Sequence, residues 1–117
     1  MANVDELSVS DIRLLNNNVE VTSPATNLAL KVTGAYSPTN NSSITVKLKA
    51  NGGEVSHAGT PGAGSRFSTT FTVAELTGLG VASGMAAKVV VDVTNPAFTN
   101  DSGGALTAEA VRNFTFA

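Results

Sequence analysis

The stretch Phe67–Pro96, FSTTFTVAELTGLGVASGMAAKVVVDVTNP, constrains this chain more than any other. Ala87, Val89, Val91 and Val93 recur at every second residue, and Phe67, Thr69, Phe71 and Val73 share one parity before them. Side chains alternate faces along a strand, so each run turns one face towards a core. The reading is strand, short connection, strand. Between the runs, Leu76-Thr77-Gly78-Leu79-Gly80 and Ser83-Gly84 read as a compact crossover with two leucines tucked beneath it. Asn95-Pro96 is expected to stop the second strand, because proline lacks the amide that a sheet ladder uses.

The same period runs through the earlier part of the chain. Ile44, Val46, Leu48 and Ala50 alternate with Thr45, Lys47 and Lys49, and Leu28, Leu30 and Val32 alternate with Ala29, Lys31 and Thr33. Leu7 and Val9 share a parity that Ile12 and Leu14 reverse, which predicts a bulge near Ser10-Asp11. Asn16-Asn17-Asn18 and Asn51-Gly52-Gly53 are turn signals, and Val19 with Val21 forms a short edge segment. From Asn51 to Arg66 the chain is Gly-rich and lacks sustained periodicity, although Val55 fits a short strand. Its Gly59–Ser65 portion is expected to be a mobile tip. Ala97–Gly104 reads as a loop, and the closing segment carries Phe114 and Phe116 on one parity and Val111 on the other. No segment has a convincing helix pattern; Thr107–Arg112 favours strand because of the aromatic residues that follow it. Residues 1–6 read as a flexible arm. About seven short strands, with turn signals roughly every ten residues, predict an all-β sandwich in a single domain spanning 1–117.

Composition excludes several kinds of chemistry. Without cysteine there is no disulfide framework, thiolate metal site or redox pair. Only 14% of the residues are charged and the formal net charge is −2. The seven basic residues are dispersed, which argues against nucleic acid as a partner. Met1–Glu6 has neither the basic nor the apolar region of a secretory signal, and no apolar run reaches the about 18 residues of a membrane helix. A soluble chain with no membrane partner is therefore expected.

Leu76-x-x-Leu79-x-x-x-x-Gly84, followed by Ala87-x-Val89-x-Val91-x-Val93-x-Asn95, is similar to the passage from strand E to strand F of immunoglobulin-like and fibronectin type III-like domains. The resemblance covers roughly the last half of the chain. It implies an immunoglobulin-like sandwich of antiparallel strands.

Candidate sites are few. His57 is the sole histidine, with Glu54 the nearest acidic residue in sequence; two groups are too few for a zinc site, and His57 reads as an ordinary solvent-exposed side chain. Gly59–Ser65 lacks the Lys-Ser/Thr pair of a phosphate-binding loop. Asn100-Asp101-Ser102 offers oxygens for at most a weak calcium site, and Asp92 stands apart from it. Sequons at Asn40, Asn41, Asn100 and Asn113 read as coincidence in an Asn/Ser/Thr-rich chain. Val90 lies opposite the parity of Val89 and Val91, which suits a central strand better than a docking face. No catalytic, metal or cofactor residues are assigned, and no enzyme is expected.

Small size, low charge, absence of cysteine and a Thr/Asn/Gly-rich β-composition resemble accessory structural modules of tailed bacteriophages. The resemblance implies a capsid-decoration or tail-associated subunit that docks on a protein shell, made in the host cytoplasm and carried in the virion. Homo-oligomer formation is compatible with it. The alternative is an immunoglobulin-like module of a bacterial surface adhesin or carbohydrate-binding protein.

Overall fold

The computed structural model describes residues 7–37, 41–99 and 105–117. In chain order its elements are β1 (Ser8–Asn16), β2 (Val19–Val21), β3 (Leu30–Ser37), β4 (Ser43–Ala50), β5 (Gly53–Ala58), β6 (Thr60–Pro61), β7 (Arg66–Phe71), α1 (Val73–Leu79), β8 (Ala86–Thr99) and β9 (Ala105–Thr115). Two antiparallel sheets result, ordered β2-β1-β3-β7-β6 and β5-β4-β8-β9. Seven of the strands have six residues or more, as the turn spacing predicts; β2 and β6 are short edge pieces of the first sheet.

Alternation sets the inner layer. In β4 and β8 the inward rows pair directly as Ile44 with Val93, Val46 with Val91, Leu48 with Val89 and Ala50 with Ala87. All eight side chains are buried, and they meet Leu14, Leu30, Val32, Phe67 and Phe71 from the other sheet in one core. Each fully buried Val, Leu or Phe contributes about 1.5–3 kcal/mol relative to exposure. Phe114 and Phe116 both join this core, whereas Val111 remains 47% exposed.

Gly34 shows how closely the first sheet is fitted. It lies opposite Phe67 in the β3–β7 ladder, and a Cβ there would stand 2.5 Å from the Phe67 ring and 2.8 Å from Ile12 Cδ1. Gly34→Ala is therefore expected to cost about 1–3 kcal/mol through overpacking, read as a lower urea midpoint at unchanged slope.

The bulge falls where the parity break puts it. Pairing between β1 and β3 shifts between Ser10 and Arg13, and Asp11 takes a φ of 54°. The bulge leaves two carbonyls outside the ladder, and arginines take them. Arg66 donates to Asp11 O at 3.2 Å, and Arg112, from the opposite sheet, donates to Ile12 O at 2.7 Å. The Asp11 carboxyl lies below its ordinary range because the Arg13 and then the Arg66 guanidinium donate to it. In the β1–β2 hairpin only Asn17 and Asn18 turn, both with positive φ. Asn16 stays in β1 and is buried; its amide donates to Ala29 O at 3.0 Å and accepts from Ala25 N at 2.8 Å.

Three expectations need correction. First, there is a helix. Thr72 caps α1, its hydroxyl accepting from Glu75 N while the Glu75 carboxylate accepts from Thr72 N, and left-handed Gly80 ends it. Val73 consequently leaves the strand parity and is 40% exposed. Second, Pro96 does not stop β8, which runs on to Thr99. Beyond Thr94 the strand β4 no longer pairs with it, and the β8–β9 register shifts between Thr94 and Thr99. A proline at such an irregularity forfeits no ladder bond. Third, Gly59–Ser65 is not a free tip throughout. Gly59 N donates to Ile44 O at 2.9 Å where the chain passes from one sheet to the other, and a Cβ there would lie 2.7 Å from Ile44 Cγ2. Thr60-Pro61 then pairs with β7 as β6, and the exposed turn is confined to Gly62–Ser65.

Candidate functional site

Titratable side chains converge where β5 and β7, from opposite sheets, meet under α1. His57 lies directly opposite Val46 in the β4–β5 ladder and so shares its inward side. Thr69 lies between Phe67 and Phe71 on the inward side of β7. Both are polar residues in an apolar layer, and they meet: His57 Nδ1 is 3.0 Å from Thr69 Oγ1. The imidazole stacks on the Phe71 ring, with centroids 4.5 Å apart and planes at 26°. Glu75 of α1 supplies the third group, its Oε2 lying 2.6 Å from His57 Nε2.

The helix cap aims this carboxylate. Glu75 Oε1 accepts from Thr72 N at 2.8 Å and from Thr72 Oγ1 at 3.3 Å, which leaves Oε2 for the imidazole. A carboxylate only accepts, so Nε2 carries hydrogen and donates to it. In the neutral ring Nδ1 then accepts from the Thr69 hydroxyl. The Glu75 carboxyl lies below its ordinary 4.5, chiefly through the Thr72 backbone N–H and next through His57, with burial opposing. A carboxyl lowered on folding adds stability above its unfolded pKa, and that stability is lost as pH falls through the folded value.

Carboxylate, imidazole and hydroxyl in line are the groups of a proton relay. Here the same bonds join the two sheets and the helix at one open side of the sandwich, and every member has its partner. Glu75→Gln preserves an acceptor for the cap but removes the charge facing His57. It is expected to cost about 1 kcal/mol at neutral pH, the lower end for a charged hydrogen bond because the group is partly exposed. The difference from wild type should shrink below pH 4.5, which melts at stepped pH would record.

Other residues singled out in the sequence are dispersed. Glu54, the neighbour expected for His57, pairs instead with Lys49 at 3.6 Å on the outer face, and Asp92 lies 3.9 Å from Lys47. His57 is half-buried rather than solvent-exposed, because its partners come from β7 and α1. Asn41 is an exposed turn residue with positive φ, and Asn113 is exposed on β9. Tyr36 is buried and tilts against Phe67 at 6.1 Å. Val90 is 7% exposed on the outward parity of central strand β8, covered by its neighbours. Residues 1–6, Asn40 and Asn100-Asp101-Ser102 lie outside the described residues. Among those described, no three His, Asp or Glu side chains cluster for a metal, and no helix is long and apolar enough to cross a membrane. Comparison with family models, curated proteins and solved structures found no match in any of the three.

Beyond Thr94 and Thr107 the strands β8 and β9 run on without β4, although Asn95 is still buried and its amide donates to Ser42 Oγ at 3.0 Å. The strand β4 ends its pairing at Ser43 with Thr94, yet β8 and β9 pair again at Thr99 with Ala105. The result is a short two-stranded extension, with an irregularity between Thr94 and Thr99, at one end of the four-stranded sheet.

Proposed function

We propose that this protein is a non-enzymatic structural module, an accessory virion subunit of a tailed bacteriophage that docks on a capsid or tail and stabilises it. The β8–β9 extension carries this reading. A two-stranded pair is marginal in water by itself, and strand addition at a sheet edge is a common way for a neighbour to bind. A sandwich that extends such a pair of strands past the end of its neighbouring strand has a means of gripping another surface.

The strand partition supports an immunoglobulin-like, fibronectin type III-like frame for the module. Of the seven long strands, the first, second and fifth (β1, β3, β7) share one sheet. The third, fourth, sixth and seventh (β4, β5, β8, β9) share the other. Immunoglobulin-like sandwiches likewise divide A, B and E from C, F and G. Helix α1 falls between the fifth and sixth strands, where the sequence resemblance lies. Fold alone does not specify function. Among the described side chains the aromatic rings, those of Tyr36, Phe67, Phe71, Phe114 and Phe116, are all buried, so none of these five offers a platform for a saccharide.

Particle stability tests the stabilising role. Phage particles assembled without this protein should admit a DNA-binding dye at lower temperature than complete ones, and adding the purified protein back should restore the difference. A variant with residues 97–106 replaced by a tight Asn-Gly turn should fold but fail to restore it. Particles equally heat-resistant with and without the protein would overturn the proposal.

A further inference from the structure

The outer face of the four-stranded sheet has an ordered charge pattern. Three rows cross it in register. Glu54, Lys49, Lys88 and Asn113 form the first, Ser56, Lys47, Val90 and Val111 the second, and Ala58, Thr45, Asp92 and Glu109 the third. One end of the face is basic, the other acidic, with two valines between them. Lys49 and Lys88 lie directly opposite each other, an arrangement that disfavours the isolated sheet.

Three basic and three acidic side chains share the face, and two pairs close within the chain: Lys47 with Asp92 and Lys49 with Glu54. Lys88 and Glu109 are left. Both are exposed, and neither makes an ion pair or hydrogen bond among the described residues. They have opposite sign and stand at opposite ends, on neighbouring strands, with Val111 47% exposed in the row between. At the Lys88 end a shallow groove of about 590 Å³ opens beside Lys49 and Asn113, because Gly52, Gly53 and Ala86 fill little space.

We propose that this face is a self-association surface on which a second copy of the chain packs, Lys88 of each protomer meeting Glu109 of its partner across the two Val111 side chains. A two-fold axis lying in the plane of the face, passing between Val90 and Val111 and inclined about 20° to the line across the strands, exchanges the basic and acidic ends. It lays Lys88 over the partner's acidic row and places apolar side chain on apolar side chain. An isologous contact needs such a self-complementary patch. Four strands about 4.8 Å apart and three outward rows about 6.8 Å apart span about 400 Å² per protomer, hence about 800 Å² in total. That is below the range of stable interfaces and within that of transient ones, so the dimer is weak and concentration-dependent. This association goes beyond the virion reading and does not depend on it.

Sedimentation velocity over a concentration series, with charge-reversal variants, is the test. The wild type should pass from monomer to dimer in the micromolar range, and added salt should shift it back towards monomer. Lys88→Glu and Glu109→Lys alter exposed side chains only, and each alone should weaken the dimer about tenfold or more by facing like charges. An equimolar mixture of the two variants should dimerise again, since each then supplies the charge the other lacks. A wild type that stays monomeric throughout, a dimer indifferent to either reversal, or a mixture that fails to reassociate would each overturn the proposal.

Discussion

Val91→Asp is expected to cost about 4 kcal/mol or more, enough to unfold a large fraction of a marginally stable domain. Val91 is fully buried on the inward side of β8, directly opposite Val46 and flanked by Val89 and Val93. An aspartate there finds only apolar neighbours, so it must either ionise without a partner or take up a proton. The outward neighbour provides the contrast. Thr45→Ser, on the solvent side of β4, should stay within about 0.5 kcal/mol of wild type. Urea melts of the two variants decide the inward and outward assignment of the four-stranded sheet. Comparable losses from both would mean that the parity assigned to the sheet is wrong.

Phe71→Ala is the second large effect, about 3–5 kcal/mol for removing a fully buried ring. Phe71 ends β7, is wholly enclosed, and also forms the platform on which His57 stacks. Its loss should therefore disturb more than the core. A double-mutant cycle with His57→Ala should show a coupling of about 0.5–1.5 kcal/mol, the range for stacked aromatic pairs. Additive losses would show that the histidine is held by Thr69 and Glu75 alone.

The inner layer was legible in the sequence because a strand's period of two leaves a direct mark on composition. Runs such as Ile44–Ala50 and Ala87–Val93 bury one parity and expose the other. Turns with positive φ at Asn17-Asn18 and Asn51-Gly52 were legible for a related reason, since few side chains tolerate that backbone. Helix α1 was not read because seven residues give too short a stretch for a 3.6-residue period. Thr72-x-x-Glu75 nevertheless carried the signature of a capping box. Pro96 misled because its effect depends on whether a partner strand is present, and β4 has already ended there.

The His57 cluster illustrates a deeper limit. Its partners lie 12 and 18 residues away, on a strand of the other sheet and on a helix. No local pattern links the three. What the sequence did contain was a polar residue, Thr69, at an inward position between two phenylalanines. A polar group in such a layer requires a partner, and the lone histidine meets that need. The charge rows of the four-stranded sheet were hidden in the same way, since β5, β4, β8 and β9 become neighbours only on folding.

Density-gradient sedimentation of the purified protein with phage particles that lack it tests most directly whether this module works by docking. The protein should move with the particle band, saturate at a fixed copy number per particle, and lose this comigration when residues 97–106 are replaced by a short turn. Protein that stays at the top of the gradient at every ratio of protein to particle would contradict a docking role.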